Sequence, residues 1–281
     1  MKKHLFFKKC GAALWVIAIL AAFSAFMLWQ NNSLSVEEYT FSSARLPAGF
    51  DGCRVVQLSD LHGKQFGADN SRLLAAVRAC RPDYIAITGD LADERSGTDF
   101  APALLRALTD IAPTYYVSGN HEWAARLFPA FCDVLRDAGV VYLNNTYTVL
   151  RRNGDSLVLA GVDDPNGYAD QKTPAQLSAE IAAEEGDPFW LLLAHRNSEY
   201  DVYGTLGADL ILSGHAHGGI IRLPGTDGLL GTGGQFFPEW TNGFYRDYPT
   251  PLFVSRGLGG SIPVPRFLNR PEVAVLTLRS E

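Results

Sequence analysis

The feature that most limits what this chain can fold into is a series of five short polar motifs, each placed where a β-rich run gives out. They read Asp60-Leu61-His62, Gly89-Asp90, Gly119-Asn120-His121-Glu122, His195, and Gly214-His215-Ala216-His217. Five of the six histidines fall within them, and the sixth, His4, lies in a basic N-terminal tail. Strands that each stop at a polar side chain, with helical stretches between them, call for a layered α/β domain whose strand ends face one place. Imidazole suits borderline transition metals and carboxylates suit harder ones, so the motif set predicts a metal centre.

The runs between the motifs support that layout. Cys53–Leu58, Tyr84–Thr88 and Thr114–Val117 read as strands, and Ser71–Cys80, Phe100–Ile111 and Pro129–Ala138 as helices. The first helix sets Leu73, Leu74 and Val77 on one face, and Pro82 limits its end. Val140–Leu143, Tyr147–Leu150 and Leu157–Val162 read as strands, with a hairpin turn at Asn153-Gly154. Thr173-Pro174 opens a helix with a capping hydroxyl and a proline in its first turn. Trp190–Ala194 stops at His195, Leu210–Ser213 stops at Gly214, and Leu252–Ser255 and Val273–Leu278 close the fold. One domain over residues 51–281 is expected, preceded by a polar stalk and lead-in at 31–50.

Residues 1–30 read as a cytoplasmic basic tail and a transmembrane anchor. Lys2, Lys3, Lys8 and Lys9 precede an uncharged run from Gly11 to Trp29. As a helix this run reaches roughly 28 Å, about one hydrocarbon core. The lysines place the N-terminus in the cytoplasm and the body outside it, with Trp29 at the interface. A cleaved signal peptide is the alternative, but Ala22-Phe23-Ser24 is a weak cleavage pattern and apolar residues continue past it. The formal charge of -6 hides an asymmetry. Beyond the tail's four lysines, 20 basic residues face 30 acidic ones. Such a body is poorly suited to following nucleic acid by charge, and no nucleic-acid partner is expected. Cys53, Cys80 and Cys132 are widely spaced, without a Cys-x-x-Cys, and read as free thiols.

A two-metal phosphoester site needs two cations about 3.5–4 Å apart and a carboxylate to bridge them. Asp90 is the natural bridge, because the glycine before it lets the backbone come close. Asp60 and His62, one residue apart, would face the same side in a continuing strand and chelate one cation. His215 and His217 have the same spacing, and either share a face or divide between two metals. Asn120 offers a neutral oxygen, and His195 completes the set.

The ordered pattern Asp-x-His, Gly-Asp, Gly-Asn-His-Glu, His, Gly-His-x-His resembles the calcineurin-like metallophosphoesterase superfamily, from about Val55 to the C-terminus. The text around Leu210–Gly219, Val254–Gly259 and Gly161-Val162-Asp163-Asp164 is similar to its bacterial membrane-anchored or secreted branch. Ile220 departs from it, standing where many relatives carry glutamine. The resemblance implies a four-layer α/β/β/α sandwich and two divalent metal ions; Mn, Fe and Zn all suit a mixed nitrogen and oxygen site. It implies Asp60, His62, Asp90 and His217 at one metal, and Asp90, Asn120, His195 and His215 at the other. His121 would face the phosphate and protonate the leaving oxygen, with Asp93 orienting it. The implied enzyme is a metal-dependent phosphoester hydrolase that cleaves phosphodiester or pyrophosphate bonds through a metal-bridging hydroxide.

Two alternatives stand beside this reading. One is a hydrolase of nucleotide-linked or phospho-lipids, suggested by the anchor and by a Gly- and aromatic-rich loop between Pro224 and Pro251. In that loop Phe236, Phe237, Trp240, Phe244, Tyr245 and Tyr248 either rim a membrane-facing site or pack on the sandwich edge. The other is a non-catalytic metal-binding scaffold. Arg256 and Arg266 offer either a grip on substrate phosphate or structural ion pairs.

Overall fold

The alternation of strands and helices builds two stacked six-stranded sheets. The computed structural model describes residues 2–126, 128, 130–223 and 225–281, with side chains from residue 13 onward. Pro129 and Pro224, where the sequence reading begins a helix and a loop, lie outside the described residues. So do the side chains of the N-terminal lysines, His4 and Cys10. One sheet runs, in spatial order, β1 (Ser35–Ser43), β12 (Glu272–Ser280), β2 (Arg54–Leu58), β3 (Tyr84–Thr88), β4 (Thr114–Val117) and β5 (Val141–Tyr142). Its last four strands are parallel. The other runs β10 (Gly243–Tyr245), β11 (Leu252–Val254), β9 (Leu210–Gly214), β8 (Trp190–Arg196), β7 (Asp155–Val162) and β6 (Thr146–Arg152), with β11, β9, β8 and β7 parallel.

Side-chain alternation along these strands makes four layers. Successive residues point to opposite faces, so Val55, Ala86, Leu191 and Leu212 meet between the sheets while Val56, Ile85, Leu192 and Ile211 point outward. The outer face of the first sheet is covered by α2 (Ser71–Ala79), α3 (Ala101–Thr109) and α5 (Ala130–Asp137), through Leu73, Leu105 and Phe131. The second sheet is covered by α6 (Pro174–Glu185) and α7 (Tyr200–Tyr203), through Leu177, Ile181 and Tyr200. Central strands apolar on both faces are the sequence mark of a doubly covered sheet. Local chemistry agrees. Asn153 and Gly154 both have positive φ, as a two-residue hairpin turn needs, and the Thr173 hydroxyl accepts from Gln176 N at the start of α6.

The stalk expected at 31–50 is corrected over much of its length. Ser35–Ser43 is the edge strand β1, paired residue for residue with β12. An edge strand with one open side needs few apolar residues; only Ser35 and Phe41 in it are buried, so its Glu-rich text reads as a linker. It follows α1 (Lys2–Asn32), whose segment Ala13–Asn32 is long and apolar enough to cross a membrane. Only Ser33 and Leu34 separate this helix from the sheet.

Candidate metal centre

The carboxyl ends of β2, β3, β4, β8 and β9 open onto the same edge of the sandwich, and every motif leaves from one of them. The two sheets are tied together there. Gln57 Nε2 donates to Ser213 O at 2.9 Å, and His215 N lies 3.1 Å from both carboxylate oxygens of Asp60. β2 stops at Leu58, so Asp60 and His62 do not share a face by strand alternation as expected. Each has left-handed backbone instead, with φ of 53° and 49°, as do Asp90, His215 and His217. Such non-glycine conformations cost about 1–3 kcal/mol each and cluster where function over-determines the backbone. The glycines allow close approach. A Cβ at Gly89 would lie 2.7 Å from His195 Nδ1, and one at Gly214 would lie 1.8 Å from Ser59 Oγ.

Two clusters form around Asp90. On one side His62 Nε2 faces His217 Nε2 at 3.2 Å, and His217 Nε2 faces Asp60 Oδ1 at 3.4 Å. On the other, His195 Nε2 lies 3.2 Å from His215 Nδ1 and 3.1 Å from Asn120 Oδ1. Asp90 Oδ2 stands between them, 3.7 Å from His62 Nε2 and 3.2 Å from His195 Nε2, while its Oδ1 accepts from His121 N. Ligand atoms about 2.1 Å from a shared cation stand roughly 3.4 Å apart in tetrahedral geometry. The observed 3.1–3.7 Å spacings match that figure. The tautomer fits as well. Thr88 O lies 2.8 Å from His195 Nδ1 and can only accept, so a proton sits on Nδ1 and Nε2 is the ring nitrogen turned toward the cluster. The donor set therefore fits two divalent ions sharing Asp90.

Electrostatics point the same way. Burial works to raise the Asp90 carboxyl, but the charge and hydrogen bond of His195, then His62 and His121, hold it well below the carboxylate range. Burial works to lower His195, yet Asp90 and Asp60 push it up to about 10. His215 is driven down to about 3 by burial and by His195. Carboxylate and imidazole here compete for protons that a cation would displace.

The surrounding residues hold several surprises. Asp93, expected to orient His121, instead faces His62, its Oδ2 3.5 Å from Nδ1, and pairs with Arg95 at 2.8 Å. At that length it fixes charge rather than a formed hydrogen bond, and His62 Nδ1 has no hydrogen-bond partner. The carboxylate beside His121 Nδ1 is that of Glu94, at 3.4 Å. Glu122, fully buried and given no role in the sequence reading, accepts from four backbone amides: Gly119, Asp90, Leu91 and Ala92. Its position in the first turn of α4 (Asn120–Ala124) is the signal that could have found it. Asp164 grips Arg196 with both oxygens, and Asp163 holds Ser118 and Tyr142, steadying the residues next to His195 and Gly119.

Arg256 and Arg266 are both engaged by partners within the protein. Arg256 pairs with Glu37 and Glu272. Arg266 is buried and donates to the carbonyls of Gly259, His217 and Arg256. The aromatic loop is divided. Trp240 and Tyr248 pack on Tyr200, and Phe244 on Phe253, whereas Phe236 and Phe237 are 75% and 72% exposed. Cys53, Cys80 and Cys132 are free thiols. Asp90, Asn120, His121, His215 and His217 open into a cleft of about 330 Å³, roofed by Thr232, Gly233, Gln235, Ser261 and Ile262.

A doubly covered α/β/β/α sandwich with such a donor set at its strand ends defines a metal-dependent phosphoester hydrolase. The chain belongs to the calcineurin-like phosphoesterase family, whose model matches residues 53–219. It is similar to the uncharacterized metallophosphoesterase YkuE of Bacillus subtilis, 29% identical over 89% of this chain and 87% of that one. It is also similar to the phosphodiesterase YaeI of Escherichia coli, 28% identical over 80% and 82% of the two chains. A Bos taurus transmembrane protein with a metallophosphoesterase domain is 32% identical over 63% of this chain and 43% of its own. The Haemophilus influenzae NAD nucleotidase structure, at 16% identity and TM-score 0.50, covers 74% of this chain and 50% of its own and shares the fold.

Proposed function

We propose that this protein is a membrane-tethered phosphoesterase with a dinuclear centre, acting on phosphodiester or pyrophosphate bonds. In this reading residues 1–30 are tail and anchor with the N-terminus in the cytoplasm, and residues 51–281, with β1 added, form the catalytic body outside it. Asp60, His62, Asp90 and His217 would hold one cation, and Asp90, Asn120, His195 and His215 the other. Bound divalent ions would lower the pKa of a water and offset charge on the phosphoryl oxygens.

The chain's own residues set the rest. His121 is half-buried, lines the cleft, and has its ring 4.8 Å from that of His62. It can deliver a proton to the leaving oxygen from the substrate side, worth about 10² to 10⁴ in rate. Asp93 sets a negative charge beside His62 Nδ1, and Glu122 fixes the turn that carries Asp90. The observation that carries this proposal is Asp90 Oδ2 placed between two histidine clusters.

The test takes the full chain in detergent, loaded with Mn²⁺ or Zn²⁺, across soluble mono-, di- and pyrophosphate esters. Asp90→Asn should abolish turnover and lose bound metal by elemental analysis. His121→Ala should keep its metal while the rate falls about 10² to 10⁴. Equal metal loss in both variants would refute this division of roles.

A further inference from the structure

Between the anchor helix and the cleft there is no flexible linker. Gln30, buried at the end of α1, donates to Arg266 O at 2.7 Å and accepts from Leu268 N at 2.8 Å. Asn31 does likewise with Arg266 O and Arg266 N, both at 2.9 Å. Phe23 and Phe26 pack on Phe267, and Arg270 lies over the Trp29 ring at 5.4 Å. Lys64, Arg72 and Arg270 donate to the last carbonyls of α1 and of the turn after it. That places cations at the level where phospholipid headgroups would lie.

The clamped segment is also part of the cleft. Ser261 and Ile262 line it, and the Arg266 side chain donates to the carbonyl of His217. From Phe267, β-bridges pass to Ile221, then Leu230, then Phe236. Three such steps of about 5 Å put Phe236 within roughly 15 Å of Phe267, whose ring lies 6.4 and 6.3 Å from those of Phe23 and Phe26 on the anchor helix. Thr232, Gly233 and Gln235, just before it, roof the cleft. Exposed Leu223, Phe236, Phe237, Val264 and Leu268 thus belong to two neighbouring segments that join the helix to the mouth of the centre.

An apolar rim continuous with a membrane-crossing helix has one natural occupant. We propose that this rim rests in the bilayer interface, so that the centre takes an amphiphilic phosphoester whose phosphate enters the cleft while its acyl chains stay in the membrane. This inference rests on the phosphoesterase reading and narrows its substrate class.

The full chain in nanodiscs of phosphatidylcholine and phosphatidylglycerol tests it. Phe236→Trp should add tryptophan emission that brominated acyl chains quench, and added emission that stays unquenched would overturn the placement whatever the enzyme cleaves. Phosphatidylglycerol and a nucleoside diphosphate–diacylglycerol serve as bilayer probes, with bis(p-nitrophenyl) phosphate as the soluble one. Phe236→Ser should slow bilayer turnover about tenfold or more while leaving soluble turnover unchanged. An equal effect on both substrates, or soluble turnover with no bilayer turnover, would overturn the substrate class. Loss of both in the parent chain would instead refute the phosphoesterase reading.

Discussion

At the scale of single residues, the proposed centre depends on side chains that hold its candidate ligands as much as on those ligands. Asp93 sits in a buried contact with His62, where its charge favours a proton on Nδ1 and leaves Nε2 free to bind. Asp93→Asn removes that charge while preserving shape. The expected result is an affinity for one of two cations reduced about tenfold to a hundredfold, read by metal titration calorimetry. The second cation should bind as before, and equal weakening of both would argue against the pairing. The motif text pointed to the ligand types and to Asp90 as the bridge. It could not show which carboxylate faces which imidazole. Asp93 and Glu94 are adjacent in sequence, and the turn that aims them at different histidines is set by bonds to Ser96 and Arg95.

At the scale of elements, Glu122 joins α4 to the turn after β3. One carboxylate takes four backbone amides that no strand or helix satisfies, so its charge and both oxygens are in use. Glu122→Gln keeps one acceptor oxygen and introduces a donor facing amide N–H groups. The expected cost is of order 2–4 kcal/mol in urea unfolding, with metal affinity falling as the Asp90 turn loosens. Strands such as Tyr84–Thr88 and Thr114–Val117 were legible to the residue, because a strand buried on both faces is an unbroken apolar run. β1 was not legible, since an edge strand carries Glu37 and Glu38 and borrows its register from β12. Asp60 and His62 stand in one cluster with His217, but not through the strand geometry expected of them, because β2 ends two residues before Asp60. Left-handed backbone leaves little mark in sequence beyond a preference for Asp, Asn and His.

At the scale of the whole molecule, the centre is the seam between two sheets. Candidate ligands from β2, β3 and β4 and from β8 and β9 meet across it, so cations bound there would link both halves of the sandwich. Ligand binding to the folded state alone adds stability by mass action. Chelation with dipicolinate should lower the thermal midpoint by roughly 5 °C or more, and readdition of Mn²⁺ should restore it. An unchanged midpoint would mean that the seam holds without them.

In the membrane-tethered form proposed above, the clamp made by Gln30 and Asn31 also decides how such an enzyme hunts. A body on a loose leash sweeps a hemisphere of solution and meets its targets per unit volume. A body bolted to its pivot cannot sweep, and its only search is lateral drift with the lipid sheet, which makes encounters a matter of surface density. Adding water to the same vesicles would then leave the encounter rate alone, whereas spreading the same molecules over more bilayer would lower it.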